Sequence, residues 1–259
     1  MGVTNDVIKE IYHSDPKKEQ LGETADLLMD ICQLKRDIFK TKIEEDLRAG
    51  KILATSAPLL PITHVLRLST EYRYLTQDHI TDVPDKAAEA FARMFQIGTP
   101  QYIIKGLSSL VTDVINSVIK SEAGTENEWT LCSCCIDDSG ATSVFVRIDM
   151  MMWSRNISTK NLNGKIDNIF SIVCYKSALD ITKMPFCDFC SLYTVILERG
   201  FEDFPEDEKE KKIIDALNTA RKIYDELKGN DNNNNKELLT TEALKKINPL
   251  NFSKLTRLF

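Results

Sequence analysis

Residues 144–153 read VFVRIDMMMW, and this stretch decides the fold. Alternate residues of a strand point to opposite faces. One face takes Val144, Val146, Ile148, Met150 and Met152, and the other takes Phe145, Arg147, Asp149, Met151 and Trp153. The first face is wholly apolar and the second is mixed. The alternation therefore predicts a strand here, within a series of strands in the middle of the chain.

The neighbouring segments extend this sheet. Residues 129–136 predict a strand, and the turn at 137–140 joins it to the strand at 144–153 as a hairpin. Residues 166–175 predict a third strand, and residues 178–182 a fourth. The period-two pattern continues to about residue 197, although residues 186–197 alone are ambiguous between helix and strand.

Helices are predicted before the sheet. Pro16 suits a first helical position and Gly50 a stop, so residues 16–49 predict one long amphipathic helix, followed by a short strand at 62–68. A helix at 82–98 and another opening at Thr99-Pro100 form an αα-hairpin. The second of these is apolar around most of its circumference, so we expect it to be largely buried.

A further helix is predicted after the sheet. The acidic run at 202–210 leads into an amphipathic helix that ends at Gly229. Residues 230–235 are asparagine-rich and predict a mobile linker, with a short helix and a polar tail beyond. The order of elements indicates an α+β fold. We predict an extra long N-terminal helix, then an antiparallel sheet, then a C-terminal helix.

The segments of this organisation follow from those elements. We expect an N-terminal helical segment at 1–50 and a core of helix hairpin and antiparallel sheet at 51–200. The C-terminal helix takes residues 201–229, the linker 230–236 and the tail 237–259.

Composition narrows the class of protein. The 259 residues are 42% hydrophobic and 28% charged, with a net charge of −6, so we expect a globular protein that binds no nucleic acid. No signal-peptide hydrophobic region follows Met1, and no window of about 18 residues is apolar and uncharged. We therefore expect synthesis in the cytoplasm without a signal peptide, and no transmembrane helix.

Signatures of common enzymes are missing. The sequence has no phosphate-binding glycine loop, no G-x-S-x-G and no H-E-x-x-H. His13, His64 and His79 lie in polar stretches that give no hint of a catalytic base, so we interpret them as ordinary histidines. The sequence thus favours a protein without enzymatic activity and without catalytic residues. We expect no resident metal or cofactor, except that a fatty acid can be bound or covalently attached.

The seven cysteines allow three interpretations. Their odd number favours free thiols in a reducing compartment, where they act as small buried hydrophobes. A zinc site from Cys132, Cys134, Cys187 and Cys190 is one alternative, although only the second pair has the usual C-x-x-C spacing. Acylation is another, because a thiol beside an apolar pocket can hold a fatty chain as a thioester. The acyl-attachment candidates are Cys174, Cys187 and Cys190.

From Thr99 to about Phe189 the succession of elements resembles the core of the Cyt-type cytolytic delta-endotoxins, the volvatoxins and a related enterobacterial insect-gut virulence factor. The resemblance covers roughly a third of the chain. It rests on the apolar helix at 103–119, the strand around Glu128-Trp129, the strand at 144–150, and Ile169-Phe170-Ser171-Ile172 with a fourth strand near Leu179-Asp180-Ile181.

The resemblance implies a single α+β domain whose antiparallel sheet is flanked by helical layers, which agrees with strands that come close to being apolar on both faces. The activity that it implies is that of a membrane-active, pore-forming toxin or virulence protein that stays soluble until it meets a bilayer. It also implies that a cysteine can carry a buried fatty acyl group, as in the virulence-factor branch. We expect a lipid membrane or a fatty acid as the partner, and homo-oligomers on membranes. The candidates for lipid contact are apolar residues of the central helix and strands, namely Ile103, Leu107, Val111, Val144, Val146, Ile148, Met150, Met152, Trp153, Phe170 and Ile172.

Other functions remain open at this point. Core packing explains the methionines and Trp153 without any lipid contact. The thiols beside apolar strands also fit a fatty-acyl-binding protein or a cysteine-dependent acyl-transfer enzyme. A cytosolic interaction module with long charged helices is the third alternative, since fold does not establish function.

Overall fold

The computed structural model describes residues 16–52, 60–75, 92–95, 99–119, 124–138, 142–156 and 168–229. In chain order the elements are α1 (Pro16–Ala49), β1 (Ile62–Leu75), α2 (Gln101–Ile119), β2 (Glu126–Asp138), β3 (Ser143–Asn156), β4 (Asn168–Leu179), α3 (Phe186–Gly200) and α4 (Glu206–Leu227). They form a single α+β domain, as the order of patterns in the sequence predicts.

The four strands make one antiparallel sheet in the order β1-β4-β3-β2. Met150 marks its centre, since it lies opposite Leu131 on β2 and Cys174 on β4. The predicted hairpin is present as β2 and β3, and β1 extends well beyond the predicted residues 62–68.

Helices cover both faces of the sheet. On one side α1 packs through Cys32, Phe39, Ile43 and Leu47 against Met151, Trp153, Ile169, Val173 and Tyr175, which we call the α1-side core. On the other side α2, α3 and α4 cover a larger core. This arrangement explains why β3 carries buried apolar residues on both faces, because each face meets a helical layer.

Two glycines set the distance between α2 and α3. A Cβ atom added to Gly106 would lie 2.2 Å from the carbonyl oxygen of Ile196, and one added to Gly200 would lie 2.2 Å from that of Tyr102. The two backbones therefore touch directly at two reciprocal points, which only glycine allows.

The expectations for the region after β3 are partly wrong. The separate strand at 178–182 does not form, because β4 runs without a break to Leu179 and Asp180 then starts a turn by accepting hydrogen bonds from the amide and hydroxyl of Thr182 at 3.2 and 2.5 Å. The strand near Leu179-Asp180-Ile181 is wrong for the same reason.

The period-two interpretation up to about residue 197 is also wrong. Residues 186–200 form α3, which is buried on most of its circumference. An apolar run with few polar positions carries little periodicity, so the sequence could not separate helix from strand there.

Several predicted features lie outside the described residues. They are the linker, the helix and tail beyond it, His13, His79, and the helix at 82–98 apart from residues 92–95. His64 lies exposed on β1, with its Nδ1 atom 2.9 Å from the hydroxyl of Thr63. Among the helices that the structure describes, none has both the length and the hydrophobicity to cross a membrane.

Candidate functional site

The sheet surface beneath α2 and α3 is the candidate site, and we call it the apolar face. Its residues alternate along three strands and lie opposite one another in register. They are Trp129, Leu131 and Cys135 of β2, Val144, Val146, Ile148, Met150 and Met152 of β3, and Phe170, Ile172 and Cys174 of β4. Ser133 interrupts the set, and its hydroxyl donates a 3.2 Å hydrogen bond to the carbonyl oxygen of Leu192 on α3.

A buried ion pair interrupts the apolar face, because Lys176 of β4 lies opposite Ile148 in the middle of β3 and Asp137 of β2 lies opposite Val144. Lys176 contacts the carboxylate of Asp137, the penultimate residue of β2, and its ammonium group also donates a 2.9 Å hydrogen bond to the carbonyl oxygen of Met94. The other oxygen of Asp137 accepts a 2.5 Å hydrogen bond from the hydroxyl of Thr99. Both charged side chains are almost fully buried, so each depends on these partners.

The opposite face of the sheet carries a second buried pair. Arg147 donates two hydrogen bonds of 2.7 Å to the carboxylate of Asp149. Its remaining donors reach the carbonyl oxygens of Leu60 at 3.1 Å and Lys51 at 2.5 Å. The guanidinium group thereby fixes both ends of the connection from α1 to β1 against the sheet. Burial raises the pKa of the Asp149 carboxyl, and Arg147 opposes that shift.

The sequence pattern does not predict either ion pair. A charged residue inside an otherwise apolar strand, such as Arg147, Asp149 or Lys176, is the sequence feature that indicates a buried ion pair. Such a residue is almost always paired when it is buried. The pairing of Lys176 with Asp137 requires the register of three strands, which the sequence pattern does not supply.

Most of the predicted lipid-contact residues gather in one place. Ile103, Leu107 and Val111 of α2 face the same larger core as Val144, Val146, Ile148, Met150, Met152, Phe170 and Ile172. Trp153 is the exception, because it lies in the α1-side core, where its Nε1 donates a 2.6 Å hydrogen bond to Glu126. All of these side chains are buried or partly buried, so they can meet lipid only after the covering helices move.

The three acyl-attachment candidates differ in access. Cys174 and Cys190 are buried, whereas Cys187 is exposed in the first turn of α3. Burial raises the pKa of Cys174 and raises the pKa of Cys190 to about 12, so neither thiol forms the nucleophilic thiolate near neutral pH. Access therefore favours Cys187 alone.

The four thiols of the zinc alternative lie in different layers. Cys132 and Cys134 share the sheet face of Asp149 and Arg147, while Cys187 and Cys190 belong to α3 beyond the other face. Within the ranges that the structure describes, no three or more His, Cys, Asp or Glu side chains are grouped so as to hold a metal ion.

Comparison with models of known protein families gives no match for this chain, and comparison with curated proteins gives none either. The kinship with the Cyt-type toxins therefore remains a prediction that rests on the order and pattern of the elements.

Proposed function

We propose that this protein acts on membranes by moving its helices away from the apolar face and placing that face against lipid hydrocarbon. The observation that carries the proposal is the difference between the two faces of one sheet. The apolar face is uninterrupted along β3 from Val144 to Met152. The α1 side of the same strands is mixed, because it carries Arg147, Asp149, Ser171 and Ser177 beside the apolar residues of the α1-side core. In a bilayer the wholly apolar face is the one that strands turn toward lipid.

The dimensions of the strands support the proposal. Five alternate residues from Val144 to Met152 span about 27 Å at a rise of about 3.4 Å per residue. The hydrocarbon core of a bilayer is about 30 Å thick and needs about 9–11 residues of tilted strand. β2, β3 and β4 have 13, 14 and 12 residues, which is enough to cross it.

The helical cover can leave as a unit. α2 and α3 are held together by backbone contacts at Gly106 and Gly200, whereas their contacts with the sheet are mainly apolar. Lipid tails are as apolar as the helix side chains that they would replace, so this exchange costs little hydrophobic free energy. Backbone groups at both edges of the sheet need hydrogen-bond partners in hydrocarbon, and strands of neighbouring copies would supply them.

Leakage of a trapped dye from lipid vesicles tests the proposal. The wild-type protein is expected to release the dye over some range of lipid charge and pH. Ile172 lies partly buried at the rim of the apolar face, opposite Glu71 of β1, so Ile172→Lys is compatible with the folded state. Ile172 also lies opposite Met152, at one end of the apolar span, where a lysine on a lipid-facing strand costs up to about 1 kcal/mol, so we expect this variant to release dye up to about fivefold more slowly.

The matched control is Leu66→Lys, which adds the same charge to a β1 residue that is already exposed. It should release dye like the wild type, and circular dichroism should show that both variants are folded. The proposal fails if the wild type neither binds nor permeabilises vesicles, or if the two lysine variants behave alike.

An acylated form is the second candidate, and the exposure of Cys187 favours it. A fatty chain on this thiol would anchor the protein to a bilayer, at about 0.8 kcal/mol for each buried CH₂ group. Intact-mass spectrometry on protein from its own cells should show an added acyl mass that hydroxylamine removes and Cys187→Ser abolishes. The bare polypeptide mass would contradict this candidate.

A further inference from the structure

Helix α1 has a second apolar side, most of which is exposed. Its buried side meets the sheet, but Leu27, Leu34 and Ile38 are 61%, 62% and 39% exposed. Ile31 completes the row and is partly buried. The four residues follow one another at spacings of four, three and four, which is the repeat of a coiled-coil seam. We call this row the α1 seam.

The residue types in the α1 seam indicate how many helices meet there. In heptad terms Leu27 and Leu34 occupy d positions, and Ile31 and Ile38 occupy a positions. Isoleucine at a with leucine at d favours a coiled coil of two parallel helices over one of three or four helices. The next a position is the exposed Glu45, so the seam is about two heptads long.

Charges beside the seam select its partner and direction. The g positions hold Asp30 and Asp37, and the e positions that follow Leu34 and Thr41 hold Lys35 and Lys42, while Leu28 occupies the first e position. In a parallel pair of identical helices, g of one copy meets e of the next heptad in the other. Asp30 then faces the partner's Lys35, and Asp37 faces the partner's Lys42. In the antiparallel pair Asp30 would face the partner's Asp37, which is repulsive.

We propose that a second copy of this chain docks on the α1 seam to form a parallel, two-fold symmetric dimer. Lys35 and Lys42 already contact Glu126 and Glu128 of their own copy at 2.9 and 3.3 Å. Such exposed pairs contribute little free energy, so the lysines can share or exchange partners. The sheet holds α1 in place, so association does not have to order the helix.

The length of the seam sets the expected strength. Four apolar side chains from each copy bury much less area than a standard interface does. We therefore expect a weak dimer with a dissociation constant of about 1–50 µM. This inference is independent of the proposed membrane function, because the seam lies on the outer side of α1 and not on the apolar face.

Sedimentation velocity of the full chain from about 1 to about 200 µM should show a monomer that converts into a dimer. Leu34→Glu should raise the dissociation constant at least about tenfold, since it places a charge in the middle of the seam. The control is Leu227→Glu at the end of α4, where the leucine is 51% exposed and lies outside the seam. Both leucines are exposed, so neither change should alter the thermal unfolding temperature.

A crosslink tests the direction. Thr41 occupies the d position after Ile38, so Thr41→Cys brings two thiols together in the parallel dimer. In the antiparallel pair they would lie about 25 Å apart along the axis. Carrying Cys187→Ser as well removes the exposed native thiol. Mild oxidation should then give a covalent dimer.

Three results would each overturn the proposal. The first is a monomer over the whole concentration range. The second is a dimer on which Leu34→Glu has no more effect than Leu227→Glu. The third is a dimer that the Thr41→Cys variant does not crosslink.

Discussion

Arg147 is the residue on which the connection between α1 and β1 depends. Its side chain is fully buried and bonds Asp149 together with the carbonyl oxygens of Lys51 and Leu60. Removing one partner of a buried pair leaves an uncompensated charge, and this costs about 3–5 kcal/mol. Arg147→Met should therefore lower the free energy of unfolding by about that amount, measured by urea denaturation.

A double variant separates the effect of the unpaired Asp149 charge from the effect of losing the Arg147 side chain. Arg147→Met with Asp149→Leu removes both charges, so it should recover much of the lost stability. The carbonyl oxygens of Lys51 and Leu60 lose their donor in both variants, so recovery should be incomplete. A double variant no more stable than Arg147→Met alone would contradict the assignment of the loss to the unpaired Asp149.

Cys187 differs from the other six cysteines in its exposure, and this difference can be measured directly. A thiol-specific chromophore at pH 8 should label one cysteine per folded chain, because burial raises the pKa of the other thiols or removes their access. Labelling should rise to seven in denaturant, and Cys187→Ser should remove the fast reaction. Fast labelling of two or more thiols in the folded protein would contradict the burial.

At the scale of elements, the contact between α2 and α3 is the most sensitive feature. Gly106→Ala and Gly200→Ala each place a methyl group 2.2 Å from a backbone oxygen of the other helix. The helices must separate to accommodate it, so each change should cost about 1–3 kcal/mol of unfolding free energy. Ser109→Ala on α2 is the control and should be nearly neutral. If Gly106→Ala and Gly200→Ala lower the free energy of unfolding no more than Ser109→Ala does, the two helices are not in backbone contact.

The predictability of each element follows from its periodicity. The strands β2 and β3 were predictable because their alternation is long and a turn joins them, and α1 because proline and glycine mark its ends. The helix α3 was not predictable from the sequence. It is buried on most sides, so its residues lack the regular alternation of apolar and polar side chains from which a helical period is recognised. The pairing of Lys176 with Asp137 was not predictable either, because it depends on the register of three neighbouring strands.

At the scale of the whole molecule, the two layers of the cover differ in how they hold the sheet. The α1 layer combines the apolar α1-side core with a polar tie, the hydroxyl of Tyr175, which donates a 2.5 Å hydrogen bond to Glu44. The α2 and α3 layer rests mainly on apolar contact. We therefore expect the second layer to leave first when the protein meets lipid.

The two tryptophans of the chain report on the two faces separately. Trp129 lies on the apolar face, and Trp153 lies in the α1-side core. Trp153→Phe leaves only Trp129 as a fluorophore, and Trp129→Phe leaves only Trp153. Each variant therefore tests one face of the sheet.

The most direct measurement is the quenching of each tryptophan by lipids brominated on their acyl chains. If the apolar face exchanges its helices for hydrocarbon, Trp129 should be strongly quenched and Trp153 much less so. Quenching of neither tryptophan, or of Trp153 in preference to Trp129, would contradict the account.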